Sequence, residues 1–187
     1  KASASGLGDV SQVADLATSA MNAYGSDTLS ASDATDVLTA AVREGKLNSE
    51  DLAASMGQVL PVASNMGVSF NEVGAAMAAM SRTGTNAAQG ATQLNSILSG
   101  LLKPTKQAEE ALEKMGLSSG GLKQQIKDEG LLSVLDTLKT NFDKNSDAAA
   151  QVFPNIRALR GVLDLTGASA ATTREISDEL NAYNGAP

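Results

Sequence analysis

The chain has 187 residues, enough for one domain or two small ones, and 42% are hydrophobic but only 3% aromatic, with no Trp. The core must therefore be built from Leu, Ala, Val, Ile and Met, which suits closely spaced helices better than a β-sandwich. A formal net charge of -7 opposes binding to phosphate backbones. The absence of both Cys and His excludes disulfides, Cys/His zinc sites and Ser-His-Asp or Cys-His nucleophile systems.

Helical spacing recurs along most of the chain. Val10, Val13, Ala17, Ala20, Met21 and Tyr24 share a face, and Gly25 supplies a stop. Ser32 is the expected cap of a second helix carrying Val37, Leu38, Ala41 and Val42 before Gly45. Leu52, Met56, Val59, Leu60, Ala63 and Met66 form the next stripe, which Pro61 should kink or split. Ser69 stands three residues before Glu72, the spacing of a capping box, ahead of Val73, Met77 and Met80. The uncharged stretch from Thr83 to Leu102 opens on Gly84 and is broken by Asn86, Gln89, Gln93, Asn95 and Ser96. It therefore reads as a helix packed in protein, along Leu94, Ile97, Leu98 and Leu101, and it must end before Pro104. Thr105 precedes Ala108, Ala111, Leu112 and Met115, stopped by Gly116. Leu131, Leu135, Leu138 and Phe142 mark a late helix, Ile156, Leu159 and Leu163 another, and Ile176, Leu180 and Tyr183 the last.

The joints share one chemistry. Gly67-Val68-Ser69 and Gly116-Leu117-Ser118 each place Gly at a helix end, an apolar residue after it and a hydroxyl that can cap the next helix. Gly45-Lys46-Leu47-Asn48 is a looser version. The expected fold is all-α: a compact bundle of about eight to ten short antiparallel helices joined by Gly/Ser/Pro turns, not one continuous coiled coil. Ser118, Ser119, Gly120 and Gly121 suggest a loop, so the expected organisation is two helical parts, 1–116 and 131–187, with a flexible connection at 117–130. The chain begins at Lys1, without an initiator Met or a signal-peptide pattern, and ends Asn184-Gly185-Ala186-Pro187, which reads as a piece of a longer protein.

Reactive chemistry finds little footing. Asp143, Asn145 and Asp147 copy the first ligand spacings of a calcium loop, but Ala148 stands where the turn needs Gly and Pro154 where it needs Glu. A polar turn with Ser146 or Asp147 capping the next helix is preferred. Gly120-Gly121-Leu122-Lys123 and Gly6-Leu7-Gly8 lack the context of a phosphate loop. A helical muralytic enzyme could run on one protonated Glu, but Glu50 and Glu72 fit helix N-termini, and a sugar groove would want more aromatic platforms. The Met residues sit at core spacing and read as packing. No catalytic residue, cofactor or metal is expected.

The segments Gln58-Val59-Leu60-Pro61-Val62-Ala63, Met66-Gly67-Val68-Ser69-Phe70-Asn71-Glu72 and Gly74-Ala75-Ala76-Met77-Ala78 closely resemble the core of phage tail tape measure proteins. Thr83-Gly84, Gln89-Gly90-Ala91-Thr92-Gln93-Leu94, Leu101-Leu102-Lys103-Pro104-Thr105-Lys106 and Phe153-Pro154-Asn155-Ile156-Arg157 continue the match. Pro154 stands where many relatives have Gly, and so does Ala91. The resemblance implies a non-enzymatic minor tail component, made in the bacterial cytoplasm, that lies in the lumen of the tail tube, sets tail length and leaves during DNA ejection. Implied partners are further copies of itself, tail assembly chaperones, the tube protein and baseplate or tail tip proteins. Neither nucleic acid nor membrane contact is expected of this acidic segment. The competing readings are a helical muralytic domain of a tail protein and a generic helical adaptor.

Overall fold

The computed structural model describes residues 10–167 and 170–183. Among them are twelve helices and no strand: α1 (Val10–Tyr24), α2 (Ala31–Glu44), α3 (Ser49–Met56), α4 (Leu60–Met66), α5 (Phe70–Arg82), α6 (Ala87–Leu102), α7 (Lys106–Lys114), α8 (Ser119–Glu129), α9 (Leu131–Lys144), α10 (Ser146–Val152), α11 (Ile156–Thr166) and α12 (Ala170–Tyr183). The class is the expected one, with the count slightly higher. The higher count follows from α8, where a loop was expected, and from the split of the 52–66 stripe, which falls at Gly57 to Val59 and separates α3 from α4.

The middle of the molecule is α5. From Val73 to Ser81 it is buried on every side, under residues no bulkier than Met. A helix that is apolar or small all round has no solvent face to keep, so neighbours surround it. Here α2, α4, α6, α11 and α12 do so. Around that axis, α1 covers α2, α3 and α4, while α6 is sandwiched between α3 and α11. Further pairs include α8 with α9 and α7 with α10. One hydrophobic core runs through all of them, from Val13 in α1 to Ile176 in α12. Of the six methionines expected at core spacing, Met56, Met66, Met77 and Met80 are fully enclosed and Met115 packs at the edge.

Three local readings are corrected. The 117–130 segment, expected as a loop, is largely the helix α8. Ser118 caps it, accepting the Gly121 amide at 3.0 Å. Gly120 and Gly121 fall in the first turn, where amides lack intrahelical acceptors anyway, and Leu122 and Ile126 bury an apolar face that outweighs the glycines' poor propensity. The cap of α2 is Ser30 instead of Ser32: its hydroxyl accepts the Asp33 amide at 3.1 Å and the Asp33 carboxylate accepts the Ser30 amide, a box that needs an acceptor side chain three positions on. The cap of α10 is Asn145, which accepts the Asp147 amide at 3.2 Å, because it alone of the three polar residues has extended backbone. The stripe positions Val10, Leu180 and Tyr183 have side chains outside the described residues, as do Lys1, Gly6 to Gly8 and the tail from Asn184.

Candidate functional site

A polar groove of about 800 Å³ is walled by the start of α5, the end of α8, α9 and α12. Glu72 lies at its root. Within α5 it completes a capping box: the Ser69 hydroxyl accepts the Glu72 amide at 3.2 Å, and the Glu72 carboxylate accepts the Ser69 amide at 3.3 Å. The other oxygen accepts the Leu131 amide at 2.7 Å. That second bond caps a different helix, since α9 begins after Gly130, which has no side chain to cap with. Gly130 has φ +96, and a Cβ there would lie 2.5 Å from Glu72 Oε1, so both backbone and space require glycine. One carboxylate thus closes the first turns of two helices that lie 59 residues apart in sequence.

Burial pushes the Glu72 carboxyl above its ordinary value, while the amides of Leu131, Ser69 and Leu132 pull it partly back. Both of its oxygens accept backbone N–H groups, one from each helix joint. Two other acids of the groove are engaged too. Glu129 accepts from the Ser133 hydroxyl at 2.6 Å, and Asp136 pairs with Arg174 across α9 and α12. Gln125 spans Ser133 at 2.8 Å and Thr137 at 3.0 Å, tying α8 to α9, and Asn71 donates to Asn181 at 3.0 Å, tying α5 to α12. Among the described residues no group of three or more Asp or Glu is placed to hold a metal. The groove wall is a hydrogen-bonded seam between helices.

Gly25, Gly67, Gly84 and Gly116 take φ of 87, 79, 96 and 73 at the ends of α1, α4, α5 and α7. After Gly67 and Gly116 the chain closes back, Val68 donating to Ala63 at 2.9 Å and Leu117 to Leu112 at 2.8 Å. Gly45 differs: its φ is -93, and its role is proximity. A Cβ there would meet Ser81 Oγ at 2.8 Å and Ala78 Cα at 3.1 Å, so α2 could not approach α5 as it does. Thr105 caps α7 through the Ala108 amide at 3.1 Å. Pro61 falls in the first turn of α4, and Pro104 ends the extended joint between α6 and α7. Leu60, Leu94 and Phe153 are enclosed in the core, whereas Arg157 stands exposed on α11.

Sequence reading missed the long-range partners. Tyr24 donates its phenol to the Val68 carbonyl at 2.7 Å, and Ser64 donates to the Ala23 carbonyl at 2.5 Å, locking α1 onto α4. The Tyr24 hydroxyl's proton is held more tightly than in solution, by burial first and the Glu72 charge second. Arg82, at the end of α5, reaches the carboxylate of Glu44 at 3.1 Å, and Glu44 is held below the usual carboxylate range chiefly by its bond to Arg43. The only sequence signal for any of these was a polar residue at a helix end.

A buried all-helical core, with acids used as caps and ion pairs, defines a helix-packing module. The chain belongs to the phage-related minor tail protein family, whose pattern matches residues 1–156. It is similar to the tape measure protein of Pneumococcus phage Dp-1, 32% identical over 111 residues, which is 59% of this chain and 10% of that protein. It is also similar to the probable tape measure protein of Escherichia phage P2, 23% identical over 151 residues, 81% of this chain and 18% of that one. The chain therefore spans less than a fifth of either relative. No solved structure matches it.

Proposed function

We propose that the chain is a structural and assembly module of a phage or prophage tail tape measure protein and has no enzymatic activity of its own. The observation that carries this reading is the family match, taken with a fold whose polar groups are spent on joining helices to one another. The module acts through helix packing and protein contacts: with further copies in the full-length protein, with tail assembly chaperones, with the tube protein and with baseplate or tail tip proteins. Its place is the lumen of the virion tail, after synthesis in the bacterial cytoplasm. No helix among the described residues is long and apolar enough to cross a membrane, and the -7 charge gives DNA passing along the tube no foothold.

Shape bears on how such a segment contributes to length. Laid out as one helix, 187 residues would reach roughly 280 Å at 1.5 Å per residue. Folded as here, the radius of gyration is about 16 Å and the module spans only tens of ångströms. It therefore serves the ruler as a compact node that organises assembly. In-frame excision from the intact gene, followed by electron microscopy of virions, tests the reading: assembly failure or aberrant tails are expected. Normal, infectious tails of unchanged length would refute it. Tails shortened by about 280 Å would show instead that the segment lies extended in the tube.

A further inference from the structure

We propose that the outward face of α11 is a docking surface for an acidic amphipathic helix of a partner protein. Ile156 and Leu163 are the exposed large hydrophobic residues among those described, 59% and 57% accessible. They are seven residues apart with half-buried Leu159 between them, the i, i+3, i+7 seam by which one helix receives another. The opposite face is seated firmly: Ala158, Val162 and Leu165 are buried, and a Cβ on Gly161 would meet Ile97 Cδ1 at 2.9 Å. The outer seam is thus presented on a rigid support, so little conformational order has to be imposed on binding.

Charge selects the occupant. Arg43, Arg82 and Arg174 are each engaged in ion pairs, but neither Arg157 nor Arg160 forms one among the described residues. These two stand one turn apart beside the seam, on a protein of net charge -7. They also overhang a groove of about 450 Å³ between α6 and α11, where the carbonyl end of Gln93 is buried and accepts no hydrogen bond. Two guanidinium groups that form no ion pair among the described residues, both along one side of an apolar seam, are complementary to a helix that carries carboxylates beside Leu or Ile. A second copy of this chain fits worse. The described surface offers no other exposed large hydrophobic to fill the seam, and a two-fold contact of α11 with itself would crowd four guanidinium groups together. DNA fits worse still, because two cations release few counterions and an apolar seam has no use against phosphate.

The test is fluorescence anisotropy of the chain against a labelled synthetic helix of three heptads, with Leu along one face and Glu on both flanks. A second peptide carries Lys in place of each Glu. The Glu peptide is expected to bind, more weakly at high salt. Arg157→Glu with Arg160→Glu should weaken it about tenfold and transfer preference to the Lys peptide. Ile156→Ser with Leu163→Ser should weaken both, with unchanged thermal melting because the positions are exposed. The proposal is overturned by absence of binding, by equal binding of the two peptides, or by indifference to either pair of substitutions. It is equally overturned if the Ser pair abolishes a dimer of the chain, or if duplex DNA competes for the same arginines.

Discussion

Replacing Glu72 by Ala removes two caps at once, and its cost separates a local helix cap from a joint between distant helices. At α5 the change undoes the reciprocal half of the capping box, worth about 1 kcal/mol. At α9 it strands the part-buried Leu131 amide, which loses the acceptor of its 2.7 Å bond, for about 1 to 2 kcal/mol more. The sum, about 2 to 3 kcal/mol, lowers the melting temperature by roughly 4 to 12 °C for a chain of this size. Asp33→Ala is the matched control, since Asp33 holds the same position in the box of α2 but serves only its own helix. It should cost no more than about 1 kcal/mol. Urea denaturation followed by far-ultraviolet circular dichroism measures both, and equal losses for the two variants would refute the bridging role. The pH dependence supplies a second reading. Because the folded carboxyl is raised above its ordinary 4.5, the native state retains its proton where the unfolded chain has lost it. Stability from this group is therefore fully present below that value and falls as pH rises through the folded pKa. Glu72→Gln, which keeps an acceptor but cannot titrate, should abolish that fall, and an unchanged pH profile would count against the assignment.

Gly130→Ala should be costlier than Gly116→Ala by differential scanning calorimetry. Both residues have positive φ, worth about 1 to 2 kcal/mol, but only at Gly130 does the new Cβ strike a neighbour, Glu72 Oε1. Phe153→Ala should cost about 3 to 5 kcal/mol, because the ring is 1% exposed and packs edge-on against Phe142 at 6.3 Å, which a denaturant midpoint would show. Asp136→Asn breaks an ion pair whose partners are both more than half exposed, so the melting temperature should move by no more than about 1 kcal/mol allows. Calcium in excess should leave the melting curve unchanged, since the Asp143 to Asp147 turn spends Asn145 on capping α10; a stabilisation that grows with calcium would revive the site.

Helix boundaries carried by chemistry within four residues were readable in advance. Ser69 with Glu72, Gly67 with Val68, Gly116 with Leu117, and Pro61 all act on their own segment, so the sequence contains the whole interaction. Errors fell where two local solutions competed. Ser30 and Ser32 are both plausible caps, and only the reciprocal Asp33 decides between them. At 117–130, glycine content argued for a loop, while Leu122 and Ile126 argued more quietly for a buried face, and burial prevailed. For the site, the sequence singled out Glu72 and assigned it to one helix end. Its second partner lies 59 residues away, a distance over which no periodicity carries information.

Sequence alone determined that this protein is helical, lacks thiol and imidazole chemistry, and is hinged at glycines and prolines, because those properties depend on residue type and near-neighbour spacing. The tertiary structure decided which surfaces are spent and which remain. It made Gly45 a point of close approach instead of a left-handed stop, turned Glu72 into a joint, and left Arg157, Arg160, Ile156 and Leu163 facing outward on α11. The physical reason is that burial and pairing belong to a residue's surroundings, which exist only after α5 has gathered its neighbours.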